Sequence, residues 1–120
     1  MLELAQIMRL LDIANAATQK GLVLEARVIY EKVLELMPGH APARIGLAMG
    51  HLAVDDFQKA EEILRAVLCE KKGDPEARAA LGLCLQLAGR QDEAREILAP
   101  LAEEDGPSAR MAATLLAQLD

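Results

Sequence analysis

The sequence predicts an all-α fold in which three helical hairpins stack as an α-solenoid and a final helix caps the array. Three similar tripeptides centre on Ala26, Ala60 and Ala94, which sets a period of 34 residues. Helix-breaking residues close each period, as at Pro38-Gly39, and further breakers such as Lys20-Gly21 fall midway. Each period therefore contains two helices separated by a short turn.

Length and composition agree with one domain, residues 1–120. A chain that is 52% hydrophobic is too apolar for general disorder. A net charge of −6, with one Tyr, one Phe and no Trp, argues against a nucleic-acid surface. No segment approaches the ~20 apolar residues of a membrane span, and residues 1–4 lack the basic start of a secretory signal. Cys69 and Cys84 lack CxxC spacing. We therefore predict a cytoplasmic protein with free thiols.

The repeating units are predicted at residues 7–40, 41–74 and 75–108. Two helices of a hairpin can cross closely only where small side chains face each other. Such residues recur as Ala14 with Ala26, Ala48 with Ala60, and Gly82 with Ala94. Larger side chains recur at another position, where they are expected to fill the space between neighbouring hairpins. They are Tyr30, Leu64 and Leu98.

The ends of several helices carry their own signals. Asp74-Pro75 combines an N-cap acceptor with a first-turn proline, and Asp55-Asp56 offers a cap in the second unit. Residues 108–119 place Met111 and Leu115 on one helical face, which predicts a seventh, capping helix. Residues 2–10 are expected to extend the first helix beyond the repeat frame.

This pattern resembles the tetratricopeptide repeat over residues 7–108. That repeat has a large residue, then Leu-Gly, an aromatic residue, and later Ala, an aromatic residue and Pro. The first unit holds Leu10, Ile13-Ala14, Ala17, Ala26, Tyr30 and Pro38 at these places. Arg44 and Arg78 depart from the large apolar position, and we expect their stems to pack while the guanidinium groups reach solvent. The resemblance implies a right-handed superhelical array.

The resemblance also implies that the first helix of each unit lines a concave groove in which ligands bind. The matching positions are the predicted partner-binding residues. They are Met8, Leu11 and Asn15 in unit one, Ile45, Met49 and Leu52 in unit two, and Leu83, Gln86 and Leu87 in unit three. This groove is expected to be largely apolar, and such a groove suits an amphipathic helix or an extended hydrophobic segment.

Family members that grip acidic chaperone tails line this groove with lysine, arginine and asparagine. Only Asn15 is compatible here, while Leu11, Gly46, Ala79 and Ala80 stand where such polar residues would be expected. The sequence therefore argues against a carboxylate-clamp co-chaperone.

Neither catalysis nor a cofactor is predicted. His40 and His51 belong to no HExxH arrangement, and the single serine, Ser108, lies near neither of them in sequence. His51 is expected to fill the space between hairpins, and one His–Asp pair is too few ligands for a metal. Charged runs such as Glu103-Glu104-Asp105 are expected on solvated outer faces.

The sequence thus predicts a non-enzymatic protein-interaction module, a small cytoplasmic adaptor or chaperone. A chaperone of type III secretion subunits is a narrower hypothesis, based on similar size, charge and groove polarity. One alternative is a homo-oligomerising scaffold, such as a homodimer, that uses the same apolar face. Another is a groove closed by the chain's own terminal helices. A fragment of a longer protein is less expected, since the sequence starts at Met1 and ends in a predicted cap.

Overall fold

The computed structural model describes residues 3–119, and within that range the chain forms seven α-helices and no β-strand. The helices are α1 (Leu4–Gln19), α2 (Val23–Leu36), α3 (Ala41–Ala53), α4 (Phe57–Glu70), α5 (Pro75–Leu87), α6 (Gln91–Ala102) and α7 (Pro107–Ala117). The predicted all-α solenoid of hairpins with a capping helix is confirmed. The predicted extension of the first helix is present from Leu4, and residue 2 lies outside the described residues.

The helices form two layers that curve. Within residues 3–119, α1, α3, α5 and α7 contact one another in succession, whereas α2, α4 and α6 contact only helices of the other layer. Because the first layer is the more closely spaced, it forms the concave face. The longest helix has 16 residues, about 24 Å. The 47 Å dimension of the array is therefore its stacking direction, and the cross-section measures 26 by 22 Å.

The turn inside each hairpin contains one residue in the left-handed backbone region. Gly21 has φ of +84° and Gly89 has φ of +83°. Asp55 takes the same place in the second hairpin with φ of 62°. As predicted, Asp56 caps α4 by accepting the Lys59 N–H at 3.3 Å. These turns recur with the sequence period because only glycine, or a short polar residue, adopts this conformation at low cost.

The small residues at the helix crossings are buried, as the repeat pattern predicts. Ala14, Ala48, Ala60 and Ala94 are 0% exposed, and Ala26 is 1% exposed. The nearest side chain to Gly82 is Leu98, which a Cβ atom at this position would strike. A glycine is therefore needed for α5 and α6 to approach each other closely in the third hairpin.

The buried side chains form two clusters of different size. The smaller cluster belongs to the first hairpin, with Tyr30 and Val33 from α2, and reaches only Ala43 of α3. The larger cluster runs from α3 to α7 and includes Leu64, Leu98 and, after α7, Leu119. Most of the apolar core therefore lies in the second and third hairpins and the capping helix.

The two arginines at the unusual repeat position behave as the sequence predicts. The side chains of Arg44 and Arg78 are each 18% exposed. Arg44 pairs with Glu70, and Arg78 Nη1 lies 2.7 Å from Glu104 Oε2. The aliphatic stems are thus largely covered while the charged groups pair at the surface.

Each helix between residues 3 and 119 is too short or too polar for a bilayer crossing.

Candidate functional site

The concave face holds a cavity of about 390 Å³ between α1, α3, α5 and α7. We call this cavity and its rim the groove. Its lining comprises Asn15, Thr18, Gln19, Tyr30, Pro42, Ile45, Gly46, Met49, Glu76, Ala79, Ala80, Ser108 and Met111. The floor thus comes from four helices of the inner layer and one side chain, Tyr30, of α2.

Tyr30 organises the polar end of the groove beside α1. Its side chain is only 2% exposed, and its hydroxyl donates to Asn15 Oδ1. Burial raises the pKa of Tyr30, and a hydrogen bond with Thr18 opposes that rise. The phenol therefore stays neutral near pH 7. Its ring occupies the space that a Cβ atom at Gly46 would need, which explains the glycine in α3.

The middle of the groove is apolar and shallow-walled. Ile45 and Met49 of α3 and Ala79 and Ala80 of α5 line this region. Met111 of α7, which is 38% exposed, adds apolar surface at the α7 side. The small side chains of alanine and glycine leave space above the helices for a ligand. The flexible thioethers of Met49 and Met111 can adapt to an irregular apolar surface. This region can bind a ligand by burial of apolar area.

The end of the groove near α5 and α7 is acidic. Glu76 lies exposed in the first turn of α5, and Ser108 adds a hydroxyl from the first turn of α7. The residues that line the groove include no lysine or arginine. Most of the groove lining is apolar, and polar side chains flank this apolar part on both sides.

The predicted partner-binding residues occupy three different environments. Asn15, Ile45 and Met49 line the groove, although Ile45 is only 8% exposed and also belongs to the larger core cluster. Met8 and Leu87 are exposed but lie outside that lining, and Leu83 and Gln86 are half-buried on α5. Leu11 and Leu52 are only 7% and 6% exposed and belong to the two core clusters. The structure thus brings together only three of the nine predicted residues.

Several lining residues lie outside that predicted set. Pro42 and Glu76 occupy equivalent positions one period apart, one helical turn before Ile45 and Ala79. Extending the predicted face by a turn would have found them. Ser108 and Met111 belong to the capping helix, which the sequence predicts only as a cover. Tyr30 comes from a second helix, and no periodic signal places its hydroxyl in the groove.

His51 lies outside the groove, at the junction of the first two hairpins. Its side chain is 13% exposed, with Nδ1 at 3.4 Å from Asp56 Oδ2 and 3.5 Å from Arg27 Nη2. Burial and the nearby Arg27 lower the pKa of His51 despite the opposing effect of Asp56. No group of three or more metal-ligating side chains occurs between residues 3 and 119.

A family model of the tetratricopeptide repeat matches residues 51–119, more than half of the chain. The chain belongs to the tetratricopeptide repeat family. The match runs from the end of α3 through the capping helix α7. Proteins of this family are typically non-enzymatic protein-interaction scaffolds.

Solved structures of the same fold include two of similar length. The type III secretion translocator chaperone SycD of Yersinia enterocolitica has a TM-score of 0.76 and 18% identity, over 98% of this chain and 86% of SycD. The first repeat domain of Spaghetti (RPAP3), bound to the HSP90 peptide SRMEEVD, has a TM-score of 0.73 and 16% identity, over 97% of both chains. At these identities the likeness is one of fold.

A double mutant of MamA RS-1 has a TM-score of 0.62 and 24% identity. The match covers 80% of this chain and 54% of the MamA chain. No curated protein sequence matches the chain. The tetratricopeptide repeat, as a family and as a fold, is therefore what these comparisons establish.

Proposed function

We propose that the protein is a small cytoplasmic adaptor or chaperone that binds an amphipathic helix in its concave groove. The observation that carries this proposal is the order of side chains along the groove. Apolar Ile45 and Met49 of α3 lie between Asn15 of α1 and Glu76 of α5, and Met111 of α7 adds apolar surface beyond Glu76. An amphipathic helix has the matching order, an apolar stripe flanked by polar groups.

Covering the apolar lining of the groove contributes to binding. For an area on the order of 100 Å² at ~25 cal/mol per Å², the contribution is about 3 kcal/mol before the costs of association. The polar groups at the two ends can fix the orientation of a bound helix, because Asn15 is a neutral amide and Glu76 is a carboxylate. The groove therefore favours a partner that carries a basic or neutral residue near Glu76.

An acidic peptide is the wrong charge for this groove. The Spaghetti (RPAP3) domain is bound to the acidic peptide SRMEEVD. In this chain no lysine or arginine is among the residues that line the groove, and Glu76 repels a carboxylate. Both features support a hydrophobic helical partner over an acidic tail.

Within this class we propose a chaperone of a type III secretion subunit as the narrower function. The likeness in fold and length to SycD prompts this proposal. The groove chemistry is compatible, because an apolar stripe that would aggregate in water is covered by Met49 and Met111. Partner-binding roles are proposed on the same basis for Met8, Leu83, Gln86 and Leu87, whereas Leu11 and Leu52 are core residues.

The test is binding of a labelled synthetic peptide, an amphipathic helix with a leucine stripe and lysines, followed by fluorescence anisotropy. Met49→Glu is expected to weaken binding at least tenfold, because it places a charge against the apolar stripe. Leu83→Glu, one helical turn after Ala79 and Ala80 and outside the lining, should weaken binding less. Val54→Glu is the control, since Val54 is 53% exposed and lies outside the groove lining. Helicity and melting temperature should stay nearly unchanged in all three.

Glu76→Lys tests the polarity of the site without touching the core. This variant should lower affinity for the basic peptide and raise affinity for its glutamate counterpart. Unchanged binding in folded Met49→Glu would overturn the proposal. Unfolding of both Met49→Glu and Leu83→Glu would instead identify these residues as core and end the groove hypothesis.

A further inference from the structure

The first hairpin carries apolar side chains at outer positions where the other hairpins carry polar ones. On α2, Leu24 is 64% exposed and Val28 is 68% exposed. The residues one and two periods later are Gln58 and Asp92 for the first position, and Glu62 and Glu96 for the second. At these two exposed positions only the first repeat carries apolar residues, which indicates that this surface serves a different function from its counterparts.

The same hairpin lacks the neighbour that covers its counterparts. In the third hairpin Leu81 and Ile97 share a cleft with Leu68 of the preceding α4, and Leu81 is 1% exposed. The corresponding residues of the first hairpin are Ile13 and Ile29. No helix precedes α1 within residues 3–119, and Ile13 is 50% exposed.

Within residues 3–119, an open cleft lies at the position of the first hairpin that corresponds to the α4-covered cleft of the third. It has a volume of about 360 Å³, and its apolar lining comes from Leu10 of α1 with Val28 and Ile29 of α2. We define the end surface as Leu10, Ile13, Leu24, Val28 and Ile29. We propose that a second copy of the chain covers this end surface in a two-fold homodimer.

The end surface is surrounded by charged residues of both signs, so it is electrostatically complementary to a second copy of itself. Lys32 lies between Glu31 and Glu35, with Lys32 Nζ at 3.3 Å from Glu35 Oε2. On α1, the exposed Arg9 and Asp12 again supply both signs. In a two-fold dimer the same surface of each copy meets the other, so the charged residues of one copy face the same group of residues in its partner. Because this group contains both signs, residues of opposite charge can form ion pairs across the axis. A nucleic acid or an anionic membrane would instead require an excess of positive charge.

The end of the array is small for a dimer interface. Its cross-section of 26 by 22 Å has a projected area below the about 800 Å² that a standard interface buries on each partner, so a dimer would use nearly the whole end. The opposite end is different, because the only large apolar residue exposed on α7 is Met111, in the groove. A two-fold contact through the end surface uses the same residues on both copies, so association through it closes as a dimer and does not continue into a filament.

Sedimentation equilibrium of the full chain tests the proposal. The wild-type chain is expected to form a dimer, and Val28→Glu should raise its dissociation constant at least 100-fold. This substitution installs the residue found at Glu62 and Glu96, on a side chain that is 68% exposed, so the hairpin should fold normally. Leu24→Gln, which installs the residue type found at Gln58, should give a smaller increase.

The controls separate this surface from the groove. Val54→Glu and Met49→Glu should leave the dimer intact, and Val28→Glu should still bind the helical peptide in the groove. A wild-type chain that stays monomeric at about 1 mM would overturn the proposal. So would a dimer that Met49→Glu dissociates and Val28→Glu does not, because the copies would then meet through the groove.

Discussion

The first and third hairpins are built on the same residue frame but have different surroundings. Helix α5 of the third hairpin contacts α3, α4, α6 and α7, whereas α1 contacts α2 and α3 within the described chain. As a result Leu81 is 1% exposed, while Ile13, at the same repeat position, is 50% exposed. A repeat buries its apolar face only against its neighbours, so position in the array decides what the same kind of residue does.

The junctions between hairpins differ as well. Arg90 Nη1 of the third hairpin lies 2.6 Å from Glu61 Oε1 of the second, and this arginine helps to hold the pKa of Glu61 below its ordinary value. At the equivalent positions one period earlier stand Asp56 and Arg27, with His51 between them. A carboxylate–guanidinium pair thus joins the second and third hairpins, while the polar contact between the first and second hairpins runs through the titratable His51.

The largest contrast is expected from alanine substitutions at one repeat position. Leu81→Ala should cost about 2–5 kcal/mol, because it leaves a cavity in the larger core cluster. Ile13→Ala should cost less than about 1 kcal/mol, because half of its side chain already contacts water. Urea unfolding at low protein concentration measures both. Equal losses would show that Ile13 is covered in solution.

Hydrogen exchange should reveal the looser attachment of the first hairpin. Amide groups in the middle of α2 are expected to exchange at least about tenfold faster than those of α4, since the first hairpin has fewer packed neighbours. The measurement uses the Val28→Glu variant, so that contact between copies does not add protection. Equal protection in α2 and α4 would mean that the whole array opens as one unit.

A smaller effect is expected when the ion pair of the later hairpins is installed in the first. Leu10 and Leu36 occupy the positions of Arg44 and Glu70. The double variant Leu10→Arg/Leu36→Glu should change the free energy of unfolding by less than about 1 kcal/mol, because exposed ion pairs contribute little. Thermal unfolding at low and high salt checks this, with Leu10→Arg alone as the control. A change of several kcal/mol would show that these leucines are core residues.

The smallest effect concerns pH at the first junction. Burial and Arg27 lower the pKa of His51 below its ordinary value of 6.5, so the folded state prefers the neutral ring. Below pH 6.5 the unfolded chain binds a proton more readily, and stability should fall as pH decreases toward the folded-state pKa. Unfolding curves of wild type and His51→Gln, with His40→Gln as control, measure this loss. An identical pH dependence in all three would exclude His51 as its source.

Periodicity accounts for most of what the sequence predicts about the fold. Alanine at 14, 26, 48 and 60 and glycine or aspartate in the turns repeat with the 34-residue period, because close crossings and left-handed turns admit few residue types. The helix start at Asp74-Pro75 follows in the same way, with Asp74 Oδ2 accepting the Ala77 N–H at 3.0 Å.

The groove was less predictable than the fold. Repeat position places Asn15, Ile45 and Met49 on the concave face, and the structure agrees. Repeat position does not show how deeply a side chain sinks between neighbouring helices. Leu11 and Leu52 are therefore core residues, while Ser108 and Met111 of the capping helix line the groove instead.

The sequence by itself determined the all-α class, the hairpin period and the sites of close helix contact, because these depend on local backbone preferences and side-chain size. Only the tertiary structure decided the polarity of the groove and the exposure of the first hairpin. Both depend on which helices surround a given position. Tyr30 reaches the groove from the second layer, and Ile13 meets water because no helix precedes α1 in the described chain.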